Sequence, residues 1–145
     1  MRMLRRSSNR LIIAAIGLLI IVGLAVWLLP GAMSSAAAPE LEGRTWRLAS
    51  VNGQPVAPGS AATISFSAGK VGGSTGVNQF GGSYRAGGGS LTLSDLASTL
   101  MASADPALNA QEQAVLGVLQ GQLTYRVSGT QLELSSTGGT LVYTA

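Results

Sequence analysis

The residues of this chain that could do chemistry are few, because the sequence contains neither cysteine nor histidine. Thiol catalysis, disulfide bonds, zinc and haem ligation, imidazole bases and Ser-His-Asp triads are therefore excluded. The most suggestive spacing is Ser67-Ala68-Gly69-Lys70, an S-x-x-K pattern. In acyl enzymes with this pattern the serine opens a helix, and the lysine lies one turn further on. Here the pattern follows a predicted strand and Gly69 favours a turn, so we interpret it as a chance match.

The carboxylates from Glu40 onward form no obvious acid–base pair along the chain. Glu40 and Glu42 lie in a predicted linker, so paired-acid catalysis would need a tertiary meeting that the sequence does not show. The others are assigned to a turn, a helix cap, a helix face and a strand face, in the order Asp95, Asp105, Glu112 and Glu133. We therefore predict no catalytic residue, no cofactor and no metal site, and we expect the chain not to be an enzyme.

The positive charge of the chain is concentrated at its start. The formal net charge is +3, but four arginines precede residue 11, namely Arg2, Arg5, Arg6 and Arg10. From Glu40 onward five basic side chains are balanced by six acidic ones, so this part is almost neutral. Because nucleic-acid binding requires a basic surface, a nucleic-acid partner is excluded.

An uninterrupted apolar run at residues 11–29 follows these arginines directly. A helix of this length would measure about 28 Å, close to the hydrocarbon thickness of a bilayer. Since the arginines lie only on the N-terminal side, the positive-inside rule predicts a cytoplasmic N-terminus and an exported body. We predict a basic cytoplasmic segment at 1–10, a transmembrane signal anchor at 11–29, a linker at 30–40 and a domain at 41–145.

Cleavage of this leader is the alternative to a retained anchor. Small residues at 34–38 resemble a cleavage site, but Pro39 follows them directly. A cleavable signal also has a shorter apolar core of about 7–15 residues. The predicted location is therefore the cell membrane with the C-terminal domain outside the cytoplasm, or the secreted fraction if the leader is cleaved.

Beyond residue 40 the apolar residues mostly alternate, and turn signals separate the alternating runs. Trp46 and Leu48 share one face of a predicted strand that ends at Asn52-Gly53, a strong hairpin signal. Further strands are predicted at Ile64/Phe66, Lys70–Gly76, Phe80–Tyr84, Leu91/Leu93, Thr99/Met101, Leu123–Val127, Leu132/Leu134 and Leu141/Tyr143. This spacing is typical of an antiparallel all-β domain, either a barrel or a sandwich.

One segment has helical rather than strand periodicity. Asp105-Pro106 is a favourable helix start, and Gly121 can end the helix. Between them the apolar stripe is formed by Leu108, Gln111 or Glu112, Val115 and Leu119. A narrow stripe needs a sheet to pack against. We predict a mainly β fold, a curved antiparallel sheet that is open or partly closed, with one α-helix across a side or mouth.

The segment Gly73–Tyr84 resembles the signature of the META/HslJ family, G-x-T-G-C-N-x-F-x-G-x-Y. Further similarity follows in order: Leu41-x-Gly43-x-x-Trp46-x-Leu48, then Val51-Asn52-Gly53, Thr99–Ser103 as the T-x-M-A-C element, and the helix and closing strands. The resemblance covers residues 41–145. It implies a cracked antiparallel β-barrel with one helix and an envelope or secreted protein. It also implies a role linked, in bacterial relatives, to heat response and novobiocin tolerance. No enzymatic activity is established for those relatives.

The resemblance singles out nine motif residues, which are Gly73, Thr75, Gly76, Asn78, Phe80, Gly82, Tyr84, Thr99 and Met101. We interpret them as mainly structural, with a recognition surface as the alternative. Gly73 and Gly76 would adopt backbone angles that other residues avoid. Asn78 would bond its own turn. Gly82 would leave space between the rings of Phe80 and Tyr84.

Two positions depart from the family pattern, since Val77 and Ser103 stand where family members carry cysteine. Joint loss of both cysteines suggests that the positions are neighbours, because a lone thiol outside the cell would be reactive. The resemblance thus implies Cα atoms within about 7 Å. It also implies that Val77 is largely buried and that the Ser103 hydroxyl is bonded near the start of the helix.

Three classes of function remain for the exported body. We favour a membrane-anchored, non-enzymatic interaction module in envelope maintenance or stress tolerance, with an unidentified envelope protein as partner. The alternative is a carrier of a small apolar ligand inside a partly open barrel. An interior filled by Trp46, Phe66, Phe80 and the leucines would argue against that carrier. An enzyme would need carboxylates, Lys70 or tyrosines gathered in one pocket.

Overall fold

The computed structural model describes residues 38–145, so the predicted basic segment, anchor and most of the linker lie outside the described residues. Within residues 38–145, no helix has the length and apolar character needed to cross a membrane. The described elements, in chain order, are β1 Thr45–Val51, β2 Gln54–Pro55, β3 Thr63–Ser67, β4 Lys70–Ser74, β5 Gln79–Gly87, β6 Ser90–Ser98, α1 Pro106–Leu119, β7 Gln122–Ser128, β8 Gln131–Ser136 and β9 Gly139–Thr144.

Eight of these strands form a closed antiparallel barrel. The strand order is β1-β3-β4-β5-β6-β7-β8-β9, and β9 pairs back with β1, while the short β2 is added at the outer end of β1. The mainly β fold with one helix is confirmed, but the barrel is closed rather than open or partly closed. Its shortest pairings are those of β6 with β7, over Ser90–Thr92, and of β1 with β3, over Thr45–Arg47.

The strand directions give the barrel two ends that are closed differently. At one end the N-terminal segment 38–44, here called the plug, lies beside the β3–β4 and β7–β8 turns. At the other end α1 contacts the β2–β3 and β4–β5 loops. These are called the plug end and the helix end below. Because the plug leads into β1, the chain enters the barrel at the plug end.

The interior of the barrel is filled by side chains from every long strand, the plug and α1. The largest fully buried ones are Trp46, Tyr143, Phe66, Leu41, Ile64, Leu91, Leu119, Leu123, Leu132, Leu134, Leu141 and Val115. Phe66 packs edge-on against Tyr84 with ring centroids 5.0 Å apart. Leu41 seals the plug end, where its carbonyl accepts a hydrogen bond from the Trp46 indole at 3.0 Å. The prediction from the alternating apolar residues is thus confirmed, since alternate residues of each strand face the interior.

Several local predictions are confirmed. Asn52 and Gly53 both have positive φ in the β1–β2 turn, as a tight hairpin of this type requires. Asp105 caps α1 by accepting from the backbone N–H of Ala107 at 2.8 Å, and Pro106 is the first helical residue. The S-x-x-K segment is the β3–β4 turn, as interpreted. Its Lys70 donates to the Ser83 hydroxyl on the next strand at 3.2 Å.

Two strand predictions are wrong in extent. The strand expected at Lys70–Gly76 ends at Ser74. No strand includes Thr99 or Met101 within the described residues, because β6 ends at Ser98 and the chain continues as a loop to the helix cap. Hydrogen bonds from polar side chains, and not strand pairing, hold this loop.

Candidate functional site

The loop Thr75–Asn78 joins β4 to β5 at the helix end and is called the signature loop. Its first residue, Thr75, is fully buried, and its hydroxyl accepts from the backbone N–H groups of Val77 at 3.2 Å and Asn78 at 2.9 Å. The same hydroxyl donates to Glu112 Oε1 on α1 at 3.0 Å. Thr75 therefore shapes the loop and also ties it to the helix.

Asn78 uses all the hydrogen-bonding capacity of its buried side-chain amide. Its Nδ2 group donates to the Met101 carbonyl at 2.9 Å and to Glu112 Oε1 at 2.6 Å. Its Oδ1 accepts from the Met101 N–H and from the Thr99 hydroxyl, both at 2.7 Å. Asn78 thus pairs with the backbone of Met101 as a neighbouring strand would. The predicted bond to its own turn is wrong in this respect.

A second asparagine holds the same loop from the helix. Asn109 on α1 accepts from the Ser103 N–H at 2.9 Å and donates to the Ser103 carbonyl at 2.8 Å. Residues 99–104, here called the apex loop, are therefore clamped at Met101 and at Ser103 by two side-chain amides. Each amide bonds both the N–H and the C=O of one residue, which fixes the loop without strand pairing.

Gln111 connects the helix to the other loops of this end. Its Nε2 donates to the Ser60 hydroxyl at 2.7 Å and to the Thr75 carbonyl at 3.1 Å, and its Oε1 accepts from the Ala57 N–H at 2.8 Å. Within residues 38–145, no buried side-chain nitrogen or oxygen lacks a hydrogen-bond partner. A satisfied buried network of this kind specifies one arrangement of its loops, because any alternative leaves polar groups unpaired.

The apex loop presents two large apolar side chains to solvent. Leu100 is 97% exposed and Met101 is 62% exposed, and they are the large hydrophobic residues of the described chain that stand out in this way. The backbone beneath them is held by Asn78, so the exposure is not a consequence of a loose loop. Ordered apolar side chains on a domain surface are typical of contact sites for a partner.

A shallow groove of about 90 Å³ lies beside the apex loop, between β6 and α1. Phe80, Leu96 and Leu116 supply its apolar lining, and Ala97, Ser98 and Gln120 complete it. The groove follows β6 beyond its last pair with β7, where the barrel wall is continued by the helix. The groove reaches Ser98, the residue that directly precedes the apex loop.

The plug end carries a different set of contacts, based on two glutamates and two tyrosines. Glu42 accepts from the Tyr84 hydroxyl and from the Ala68 N–H at 3.0 Å, and Glu40 accepts from the Tyr125 hydroxyl at 2.8 Å. Burial, together with Glu42, raises the pKa of Tyr84 well above its usual value. Burial and Glu40 raise the pKa of Tyr125 to about 12. Both phenols therefore remain protonated donors at physiological pH.

Two of the three motif glycines are required for steric reasons that differ from those predicted. Gly76 has the predicted positive φ of 96°, whereas Gly73 does not. A Cβ on Gly73 would collide with the backbone of Thr63 on β3. A Cβ on Gly82 would lie 2.6 Å from the Ser94 carbonyl, where a bulge in β6 approaches β5. Gly82 therefore makes room for β6 and not for the rings of Phe80 and Tyr84.

Val77 and Ser103, the positions of the family cysteines, flank the contact between Asn78 and Met101. Val77 is partly buried, which does not contradict the prediction that it is largely buried. The Ser103 hydroxyl accepts from the Asp105 N–H at 3.0 Å, as expected near the helix start. The proximity of the two Cα atoms stays a prediction, which the double variant Val77→Cys/Ser103→Cys would test by forming a disulfide under oxidising conditions.

Sequence reasoning missed the carboxylates that the fold brings into these contacts. Glu112 was assigned to a helix face, and Glu40 and Glu42 to a linker, yet each accepts a hydrogen bond from a residue at least 34 positions away. Within residues 38–145, no three acidic side chains come close enough to share a metal ion. The helix-end site consists of amides, hydroxyls and one carboxylate, which suit positioning and recognition.

Comparison with known proteins assigns the family. The model of the META domain matches residues 39–145, which is most of the chain. The chain belongs to the META domain family. This chain is similar to a protein whose structure was solved by NMR. The two share 31% sequence identity and superpose with a TM-score of 0.65, over 73% of this chain and 92% of that one. A Burkholderia xenovorans protein, also solved by NMR, has 25% identity and a TM-score of 0.59, over 76% and 86%.

No curated protein matches the chain significantly. The family and the fold are thus established by the META domain match and the two solved structures, whose descriptions state no activity.

Proposed function

We propose that this chain is a membrane-anchored, extracytoplasmic META domain that acts as a non-enzymatic interaction module of the cell envelope. The observation that carries the proposal is the apex loop. Its Leu100 side chain is 97% exposed, while the adjoining backbone is bound on both its N–H and its C=O by buried Asn78. An apolar side chain beside a backbone that is already ordered requires less ordering on binding, so Leu100 is a favourable anchor for a partner.

The partner is a protein with an apolar pocket. The apex loop contains no charged residue, and the groove lined by Phe80, Leu96 and Leu116 lies where the chain leaves β6 for this loop. The apex loop also lies at the helix end, whereas the chain enters the barrel at the plug end.

Membrane anchoring is supported by the sequence of the leader. The apolar run at 11–29 and the four arginines before it favour a single span with the domain exported. Because the chain has no cysteine, a single introduced cysteine at exposed Thr137 reports its own location. Labelling of intact cells by a membrane-impermeant maleimide, with the chain retained in carbonate-washed membranes, is the expected result. Labelling only after lysis would contradict export, and release by carbonate would contradict the anchor.

The interaction is tested by a photo-crosslinking amino acid at Ala102 in the full-length chain. We expect a discrete protein adduct that disappears with Leu100→Ser and persists with Ala104→Ser, a matched change in the same exposed loop. The same photo-crosslinker at Gln113, exposed on α1, is the control for random collision. Equal adducts from positions 102 and 113, or an adduct unaffected by Leu100→Ser, would overturn the proposal.

The packed interior weighs against the alternative of an apolar-ligand carrier. Trp46, Phe66 and Phe80 are buried in one cluster with the leucines, which is the arrangement that argues against a hollow barrel. Native mass spectrometry of the detergent-solubilised chain tests this alternative directly. A retained lipid favours the carrier only if a photoactivatable form of it crosslinks to interior residues such as Trp46 and Phe66, because the anchor and the barrel surface can also hold lipid.

A further inference from the structure

The charged side chains of residues 38–145 are divided unequally between the two ends. All five basic residues are exposed and lie in the half of the barrel nearer the plug: Arg44, Arg47, Lys70, Arg85 and Arg126. Arg44 and Arg47 lie at the start of β1, and Lys70 is the first residue of β4 after the plug-end turn. The cations therefore surround one end of the barrel on β1, β4, β5 and β7.

The acidic side chains have a different distribution. Asp95, Asp105 and Glu112 lie at the helix end, on the far half of β6 and on α1. The other three lie in the plug half and are already engaged, with Glu40 and Glu42 accepting from tyrosines and Glu133 lying 3.8 Å from Arg126. The plug half thus has five cationic and three anionic side chains, a net charge of +2, against −3 for the helix half.

The position of the leader gives this asymmetry a direction. The described chain begins at Ala38, which is buried at the plug end, and the predicted span ends at residue 29. The intervening residues 30–37 can bridge at most about 28 Å even when fully extended. A connection of this length allows the basic end to reach the membrane surface, where attraction to anionic headgroups acts within about one Debye length.

We propose that the plug end docks on the anionic lipid headgroups of the membrane in which the chain is anchored. The exposed guanidinium and ammonium groups bind lipid phosphates, while the carboxylates of the helix end are repelled by the same surface. This inference rests on the proposed membrane anchoring, and it adds the class of lipid and the end of the barrel that binds it.

The test uses the full-length chain in lipid nanodiscs, with a fluorophore on a single cysteine. Gln131→Cys places the label at the plug end and Thr137→Cys places it at the helix end, both at exposed positions. In discs containing anionic lipid, a headgroup-attached quencher should reduce the Gln131→Cys signal at least about twofold more than the Thr137→Cys signal. The difference should shrink in neutral discs and in about 0.5 M salt, where the Debye length falls to roughly 4 Å.

A charge variant and its matched control sharpen the test. Arg47→Gln/Lys70→Gln/Arg85→Gln removes three charges from the plug half and should abolish the quenching difference. Gln54→Glu/Ala107→Glu/Gln113→Glu changes the net charge equally at the helix end and should preserve it. Equal quenching at both labels in anionic discs, or equal effects of the two variants, overturns docking while leaving anchoring intact. A chain that does not enter discs of either lipid overturns the anchoring and the docking together.

Discussion

The plug end and the helix end close the same barrel by different chemistry. The plug end is sealed by Leu41 and by tyrosine hydroxyls that donate to Glu40 and Glu42. The helix end is held by the neutral amides of Asn78, Asn109 and Gln111. One set of contacts closes the barrel, and the other fixes a loop at its surface. The hydrogen bonds of Glu40 and Glu42 hold the plug in place, whereas those of Asn78 hold the loop that exposes Leu100.

Alkaline pH should destabilise the plug-end half of the barrel first, because the three tyrosines of the chain lie there. The pKa of Tyr143 and that of Tyr84 are raised chiefly by burial, and that of Tyr125 is raised to about 12. A raised pKa in the folded state means that the stability it contributes is complete below pH 10 and is lost as the pH rises towards the raised pKa. The free energy of unfolding should therefore fall steeply above pH 10.

Urea unfolding as a function of pH measures this loss, and tyrosinate absorbance follows the phenols directly. Tyr84→Phe should reduce the slope above pH 10 by about one third, since one of three tyrosines is removed. Tyrosines that titrate near pH 10 in the folded domain, with unchanged stability, would show that the plug end does not shield them.

Asn78→Ala should be the most damaging substitution at the helix end. It removes four hydrogen bonds and leaves the Met101 backbone without its partner and Glu112 with Thr75 alone, so we expect a loss of about 3 kcal/mol in the free energy of unfolding. Asn109→Ala, which removes two bonds at a half-buried position, should cost about 1 kcal/mol. Equal losses in denaturant unfolding would mean that the signature loop is not the principal clamp.

Two adjacent glycines of β4 lie on opposite faces of the barrel wall and differ in the space available for a side chain. A methyl group at Gly73 meets the Thr63 backbone, so Gly73→Ala should destabilise the domain by about 2 kcal/mol. At Gly72 the nearest contact is the Phe80 carbonyl at 3.6 Å, so Gly72→Ala should change stability by less than about 0.5 kcal/mol. Thermal or chemical unfolding of the two variants provides the comparison, and a reversed order would refute the steric explanation.

Leu100→Ser should have the smallest effect on stability, within about 0.5 kcal/mol, because the side chain contributes almost no buried surface. Its consequence should appear only in partner binding. A loss comparable to that of Asn78→Ala, measured by the same unfolding experiment, would indicate that Leu100 packs against the domain and is not displayed.

The sequence was informative where structure is local. Alternation predicted the inward positions of Trp46 and Leu48, and Asp105-Pro106 predicted the start of α1, because strand faces and helix caps depend on neighbouring residues. Closure of the barrel was not predicted, since it depends on β1 pairing with β9, almost a full domain away.

The candidate site was located from the sequence, but its contacts were not. The motif residues Thr75, Asn78 and Met101 do meet at the helix end. The role of Asn78 was misjudged because asparagine favours its own turn, whereas here the Met101 backbone and Glu112 compete successfully for the amide. Gly73 was misjudged because a close approach between two strands leaves no mark on a single sequence.

The central claim is that the apex loop is held rigidly while its apolar side chains stay exposed. Amide hydrogen exchange at Met101, measured by NMR on the full-length chain in detergent micelles, tests this most directly. We expect slow exchange, because the Met101 N–H donates to Asn78 Oδ1 at 2.7 Å. In Asn78→Ala this protection should be lost. Exchange of the Met101 amide at the rate of an unprotected peptide in the wild-type chain would contradict the claim.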